Sequence, residues 1–267
     1  MNAIKQGFNT NNDSYLPVGQ SVKGQMSMME NRHDFGSENG ENSLRIIKTG
    51  DGVSTLYNSR LDEIYHSRSG AWNETLHVFI DAGLSTLKHL KEICILEPGF
   101  GTGLNFLATA LYCGNRQIRY TGLEPYPVPV PVLGELNPGP ALQNDSVAEL
   151  FRLFHDASWS EIHRPENNIY FRKLQLTLQE YDAGEEKYNL IYFDAFSRRV
   201  QPELWTPEIF SKLFAISEPG CILVTYASGK QIRRAMEESG WTTEILPGPG
   251  TKREMLRAKK PSSSDIK

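Results

Sequence analysis

The stretch "LEPGFGTGLNF", residues 96–106, places three glycines at every second position directly after the apolar run "EICIL". An apolar strand, a glycine loop and a helical pattern in succession are typical of the ligand-binding turn of an α/β sheet. The spacing does not fit a dinucleotide loop, because Leu104 stands where the pattern G-x-G-x-x-G requires its third glycine. A P-loop fits no better, since no Gly-Lys-Ser/Thr ends the stretch.

Short apolar strands alternate with helical patterns across residues 93–258. This alternation predicts a parallel sheet with helices on both faces, and such sheets bind ligands at the carboxyl ends of their strands. Upstream, apolar runs flank "GDG" at residues 50–52 and predict a β-hairpin. The stretch "WNETLHVFIDAGL" then predicts a helix with Asn73 as its cap and Gly83 at its end. We therefore predict an α/β fold, a Rossmann-like doubly wound sheet with a small N-terminal β extension.

The chain divides into four predicted segments. Residues 1–43 are rich in Asn, Gly, Ser and Met and offer little apolar surface to offset the entropy of ordering, so we expect a disordered extension. Residues 44–92 are expected to form the hairpin and helix packed on the core, and residues 93–258 the main domain. Residues 259–267 are expected to be a basic flexible tail.

Composition excludes several classes of protein. No apolar run approaches the roughly 18 residues that span a bilayer, and the N-terminus lacks the basic-then-apolar order of a signal peptide. The cysteines Cys94, Cys113 and Cys221 are odd in number and widely separated, which favours buried free thiols over a disulfide framework or a metal site. We expect a cytoplasmic protein with no membrane partner and no metal.

Charge is unevenly distributed along the chain. The formal net charge is −4, but residues 230–267 hold nine basic and five acidic residues. A basic end on an acidic body fits a polyanion bound at one edge of the molecule. The alternative is a solvated, partly disordered C-terminus.

Two acidic residues accompany the glycine loop. Glu97 directly precedes it, where a carboxylate would repel a phosphate but suits a cationic or amino-acid-bearing ligand. Glu124 ends the next strand, about twenty residues beyond the loop, where a carboxylate can accept hydrogen bonds from both hydroxyls of a ribose. This combination resembles the class I S-adenosylmethionine-dependent methyltransferases. The resemblance implies that Glu97 faces the ammonium of the methyl donor and Glu124 its ribose, whereas the alternative is a tight turn with solvated acids.

Asp194 and Phe196 follow the most strand-like segment, "YNLIYFDAF". In this architecture the carboxyl end of the fourth strand lies beside the transferable methyl group, and methyl transfer requires a neutral lone pair near that carbon with water kept out. A carboxylate can orient an amine and accept its proton, so Asp194 is a candidate catalytic residue and Phe196 a candidate wall of the pocket. The alternatives are a buried cap for Asp194 and core packing for Phe196.

Three motifs resemble the methyltransferase half of the bacterial tRNA 5-methylaminomethyl-2-thiouridine biosynthesis enzymes (MnmC-like): "EPGFGTGLNFL", "YFDAFSRRVQPELWTPEIFSKL" and "PGPGTKREMLR". The region upstream of them resembles the same family, so the match covers about residues 44–258. The resemblance implies methylation of the exocyclic amine of an aminomethyl-uridine at the wobble base of tRNA. In such an enzyme a base leaves its stack to be alkylated.

The resemblance also implies roles for individual residues. The cofactor loop comprises Glu97, Gly99, Phe100, Gly101, Thr102, Gly103 and Asn105, and Gln175 and Leu176 are candidates for the adenine contact. Candidate substrate residues are Tyr65 in the N-terminal segment, Trp205 as a platform for the base or else a core residue, and the pair Lys252 and Arg253 for anticodon phosphates. Gln201 replaces the asparagine of the family's "NPELW" element.

Family members with two activities continue into a flavin oxidase half, and the sequence shows no second glycine loop of that kind. The expectation is a standalone methyltransferase that relies on a separate flavin oxidase acting upstream. Two rival functions stay open: a small-amine methyltransferase or aminopropyltransferase, and a non-catalytic S-adenosylmethionine-binding module.

Overall fold

The computed structural model describes residues 43–262. The predicted extension lies outside this range except for its last residue, as do residues 263–267 of the predicted tail. The described residues begin with a small antiparallel sheet in the order β1-β2-β3, formed by β1 (Leu44–Lys48), β2 (Ser54–Asn58) and β3 (Glu63–Ile64). The predicted hairpin is present, with Ile46 paired to Leu56 across it.

In the described part of the chain, the main sheet has eight strands. They are β4 (Glu92–Pro98), β5 (Gln117–Leu123), β6 (His163–Glu166), β7 (Ile169–Leu174), β8 (Tyr188–Tyr192), β9 (Ser217–Thr225), β10 (Thr242–Pro247) and β11 (Glu254–Lys259), in the spatial order β10-β11-β9-β8-β4-β5-β7-β6. The central five strands are parallel, and the edges carry the antiparallel strands β6, β11 and β10.

Six α-helices accompany the strands within residues 43–262. They are α1 (Ala71–Thr75), α2 (Leu104–Tyr112), α3 (Val130–Leu136), α4 (Asp145–Asp156), α5 (Pro207–Ala215) and α6 (Lys230–Glu238). A π-helical segment (Leu76–Asp81) continues α1, and two short 3-10 turns cover Leu84–Leu87 and Pro202–Leu204. The predicted α/β fold, a mostly parallel sheet with a small N-terminal sheet, is confirmed.

Local details differ from the sequence-based expectations. Helix α1 begins after Gly70, so that Asn73 lies inside it rather than at its cap. Strand β6 was not predicted, because its residues "HRPE" show no apolar alternation. It pairs with β7 at the edge of the sheet with a shifted register, where a proline is tolerated. Strand β11 extends to Lys259, the first residue of the predicted tail.

The order of strands determines where a ligand can bind. From β4 the chain continues to β5 and β7 on one side, and β8 and β9 lie on the other side. The sheet therefore reverses its winding between β4 and β8, and a crevice opens outside the carboxyl ends of these two strands. The glycine loop follows β4, and Asp194 follows β8. No helix within residues 43–262 is long and apolar enough to span a membrane.

Candidate active site

The glycine loop lies directly against the chain that leaves β8. Gly99 has a φ of +87°, and a Cβ atom there would be 2.4 Å from the carbonyl oxygen of Asp194. The backbone N–H of Asp194 in turn donates to the carbonyl of Pro98 at 3.2 Å. Only a residue without a side chain can bring these two strand ends so close in this conformation.

The other loop residues divide into two groups. Gly101 and Gly103 also have positive φ, and a Cβ at Gly103 would collide with the ring of Phe154 at 2.5 Å. Phe100 and Thr102 are buried, so their side chains pack inside the protein.

Asn105, in the first turn of α2, joins two of the predicted functional carboxylates. Its Nδ2 donates to Oε1 of Glu97 at 2.7 Å and to Oδ2 of Asp194 at 2.8 Å. Its Oδ1 accepts from the hydroxyl of Thr75 at 3.0 Å, which fixes the orientation of the amide. Glu97 is fully buried and also accepts from the hydroxyl of Tyr120 at 2.6 Å. The predicted cofactor acid and the predicted catalytic acid are therefore held by one side chain.

The three carboxyl groups of the crevice share an unusual electrostatic environment. Burial raises the pKa of Glu97 well above its ordinary value, and the charges of Asp194 and Glu124 raise it further. Burial, together with the charge of Glu74, raises the pKa of Asp194 to about 7. Burial likewise raises the pKa of Glu124 to about 7. Acids crowded in this way favour a cationic ligand, because a positive charge would stabilise their ionised forms.

Glu124 is oriented by the loop itself. Its Oε2 accepts from the backbone N–H of Gly101 at 2.9 Å, and its Oε1 accepts from the N–H of Tyr126 at 3.0 Å. The carboxylate is thus fixed beside the glycine loop, where the sequence predicts the ribose contact.

An aromatic wall borders Asp194. Phe196 packs edge-on against Tyr65, with ring centroids 5.0 Å apart. The backbone N–H of Phe196 donates to the side-chain oxygen of Gln201 at 2.8 Å, so the residue that replaces the family's asparagine orients this segment. Arg199 binds the backbone carbonyls of Leu61 and Asp62, which attaches the small N-terminal sheet to the same segment.

Trp205 does not face the crevice. It is only 3% exposed, and its indole packs against Phe193 with centroids 4.9 Å apart. Its Nε1 donates to the carbonyl of Phe196 at 2.9 Å. Since no face of the ring is open, the structure favours the core alternative over base stacking. The candidates for the adenine contact, Gln175 and Leu176, are exposed and follow β7.

Lys252 and Arg253 lie in the loop between β10 and β11 but differ in their surroundings. Lys252 Nζ donates to Oε1 of the buried Glu74 at 2.6 Å. Arg253 is exposed and has no ion-pair partner among the described residues. Other cations of the basic region are paired, among them Arg233 with Glu237 and Arg257 with Glu244.

Sequence reasoning missed several residues of the site. Glu74, Tyr120 and Tyr226 all contact its members, yet each lies in an ordinary helical, strand or loop pattern. The one available signal was Glu74, a carboxylate amid the apolar positions of its helix. Within residues 43–262 no group of three or more His, Cys, Asp and Glu side chains could hold a metal ion.

Comparisons with known proteins agree with this geometry. Residues 149–261 match the model of a family described as S-adenosyl-L-methionine-dependent methyltransferase. Two relatives are named tRNA 5-methylaminomethyl-2-thiouridine biosynthesis bifunctional protein MnmC. The one from Pseudomonas aeruginosa is 30% identical over 220 residues, 73% of this chain and 32% of the relative. The one from Leptospira borgpetersenii is 31% identical over 225 residues, 77% of this chain and 33% of the relative.

The chain therefore spans about a third of the length of these relatives. Among solved structures, MnmC2 from Aquifex aeolicus is similar with a TM-score of 0.65 and 23% identity, covering 83% of this chain and 72% of that one. The predicted fold of class I S-adenosylmethionine-dependent methyltransferases is confirmed, and so is the resemblance to the MnmC proteins.

Proposed function

We propose that this chain methylates the amine of a 5-aminomethyl-(2-thio)uridine at the wobble position of tRNA. Its fold is that of class I S-adenosylmethionine-dependent methyltransferases, and its sequence pattern is similar to that of the MnmC proteins. The observation that carries the proposal is the placement of Asp194. It lies at the reversal point of the sheet, and Asn105 joins it to the buried Glu97.

S-adenosylmethionine would supply an electrophilic methyl group on a sulfonium. The glycine loop would hold its amino-acid end with the buried Glu97 as the counter-charge, and Glu124 would hold its ribose hydroxyls. The carboxyl groups of Glu97, Glu124 and Asp194 fit a donor that carries two positive charges, because burial raises the pKa of each of them. Among the described residues, no cation lies beside Glu97 or Glu124 to compensate them.

Asp194 would act on the acceptor. Its carboxylate can receive a hydrogen bond from the aminomethyl nitrogen, direct the lone pair towards the crevice and take up the proton that the nitrogen loses on alkylation. A pKa of about 7 suits this role, since the group is then partly ionised at neutral pH and still basic enough to hold a proton. Phe196 and Tyr65 would shield the reacting nitrogen from water.

The test is a transfer assay with labelled donor and three acceptors. We expect label in tRNA that carries 5-aminomethyl-2-thiouridine and none in the same tRNA without the aminomethyl group, which is the matched control. Label in polyamines instead would support a small-amine transferase. Binding of the donor without transfer to any acceptor would support a non-catalytic module.

Binding of the donor should depend on pH through Glu124. As pH falls through about 7, this carboxyl group takes up a proton and accepts hydrogen bonds less well, so affinity should be lower at pH 6 than at pH 8. Glu124→Gln should bind the donor about tenfold more weakly at pH 8. The variant should also show a smaller change between the two pH values in calorimetry. An identical pH dependence in both proteins would exclude this role.

For tRNA, the exposed Arg253 is the candidate phosphate contact that the structure leaves unpaired within residues 43–262. Arg253→Gln should weaken tRNA binding and reduce the slope of log affinity against log salt concentration by about one. A binding series from low to high salt checks this, and parallel lines for the two proteins would contradict it.

A further inference from the structure

Lys252, in the loop between β10 and β11, is held in an ion pair although 38% of its side chain is exposed. Its Nζ lies 2.6 Å from Oε1 of Glu74, and the Glu74 side chain is only 8% exposed. The other oxygen of Glu74 accepts from the backbone N–H of Ser67 at 2.7 Å. A lysine bound in this way would have to leave a buried carboxylate without its cation in order to reach an RNA phosphate, which is costly.

The ammonium of Lys252 also contacts the aromatic ring of Tyr226, which binds the backbone next to Asp194. Nζ lies 4.1 Å from the centroid of Tyr226. The hydroxyl of Tyr226 donates to the carbonyl of Ala195 at 3.0 Å, and Ala195 directly follows Asp194. The lysine is therefore connected to the backbone beside Asp194 through one side chain.

Glu74 is connected to Asp194 from the opposite side. Its neighbour Thr75 donates to Asn105 at 3.0 Å, and Asn105 donates to Asp194 at 2.8 Å. The ion pair between Glu74 and Lys252 thus contacts Tyr226 directly and is linked to Asn105 only through Thr75, the next residue in α1.

We propose that Lys252 is a positioning residue of the methyl-transfer site, which acts through Glu74 and Tyr226, and that it is not a contact to RNA phosphates. This inference rests on the proposed function. The positive charge compensates Glu74 and keeps the neighbourhood of Asp194 from becoming too negative, so that both Asp194 and the substrate amine can be in the deprotonated forms that react.

The charged and titratable groups around Lys252 determine the sign of this effect. Glu74 raises the pKa of Asp194, and Lys252 lowers it. His66 also lies in the field of the pair, but burial lowers its pKa to about 4, so it is neutral in the range that matters. Tyr226 is neutral as well, because burial raises its pKa. A cation near the substrate amine disfavours its protonated form in the same way as it favours the carboxylate of Asp194.

The experiment is a pH profile of kcat/KM for transfer to aminomethyl-uridine tRNA with the full chain. In Lys252→Gln the acid limb should move upward by about one pH unit or more, since the uncompensated Glu74 raises the pKa of Asp194 and of the amine together. In Glu74→Gln the remaining cation should move the limb downward. The double variant, which removes both charges, should return the limb close to that of the wild type, and Lys252→Arg should preserve it.

Arg253→Gln is the matched control, because it removes the same charge from the next residue of the same loop. It should raise KM in a salt-dependent way without moving the acid limb. If Lys252→Gln behaves like this control, with a salt-dependent KM and an unmoved limb, the positioning role is overturned and the phosphate contact is supported. A wild-type protein without transfer overturns the proposed function and this inference together. Thermal melting of each variant separates a loss of folding from a shift of the acid limb. If one single variant unfolds, the pH profiles of the double variant and of the other single variant still test the proposal.

Discussion

Asp194→Ala is expected to lower the rate of methyl transfer by about 10³-fold or more while leaving the affinity for the methyl donor within about tenfold. The loss follows from removing the group that would orient the amine and take its proton. Donor binding should survive, because Glu97 and Glu124 keep their own hydrogen bonds to Tyr120 and to the glycine loop. Single-turnover transfer and calorimetric titration of the donor measure the two quantities separately.

Asp194→Asn is the companion variant. It keeps the size of the side chain and a hydrogen-bond acceptor for Asn105, but its amide cannot accept the proton of the amine. A loss of transfer similar to that of Asp194→Ala would assign the effect to the proton rather than to packing. Normal turnover in either variant would remove Asp194 from the mechanism.

Gly99→Ala is expected to destabilise the protein by about 3 kcal/mol or more and to abolish donor binding. The added methyl group would lie 2.4 Å from a backbone oxygen of Asp194, and backbone cannot move aside as a flexible side chain can. Separating β4 from the segment after β8 would pull apart the acids that Asn105 joins. Denaturant unfolding and donor titration provide the measurements.

Gly114→Ala is the control for the backbone conformation of Gly99. Gly114 has a φ of +63°, but a Cβ atom there would have no neighbour within 4 Å. The substitution should cost only the strain of the left-handed conformation, about 1–2 kcal/mol, and leave donor binding unchanged. Equal costs at the two positions would show that the contact with Asp194 is not what makes Gly99 necessary.

The sequence was sufficient to predict the sheet and the acids at the ends of its strands. Alternating apolar strands and helices determine the layers, and a period of two or of 3.6 residues is visible in one dimension. Glu97, Glu124 and Asp194 were identifiable because they follow apolar runs, and the carboxyl ends of parallel strands meet at one edge of a sheet.

The partners of these acids could not be predicted, since they depend on contacts between distant parts of the chain. The contact between Glu74 and Lys252 joins residues that are 178 positions apart. The burial of Trp205 could not be predicted either. The residue type alone does not distinguish an indole packed against Phe193 from one that is open to a base. The continuation of α1 into a π-helical segment likewise has no signature in the pattern of apolar residues.

Strand β11 is inserted between β9 and β10, although it is the last of the three to be synthesised. During translation β10 therefore cannot join the sheet until β11 has left the ribosome and paired with β9. The loop that supplies Lys252 to Glu74 is made by the same event. A nascent chain would hold Glu74 without its cation until that moment, so this ion pair forms only after β10 and β11 have been synthesised.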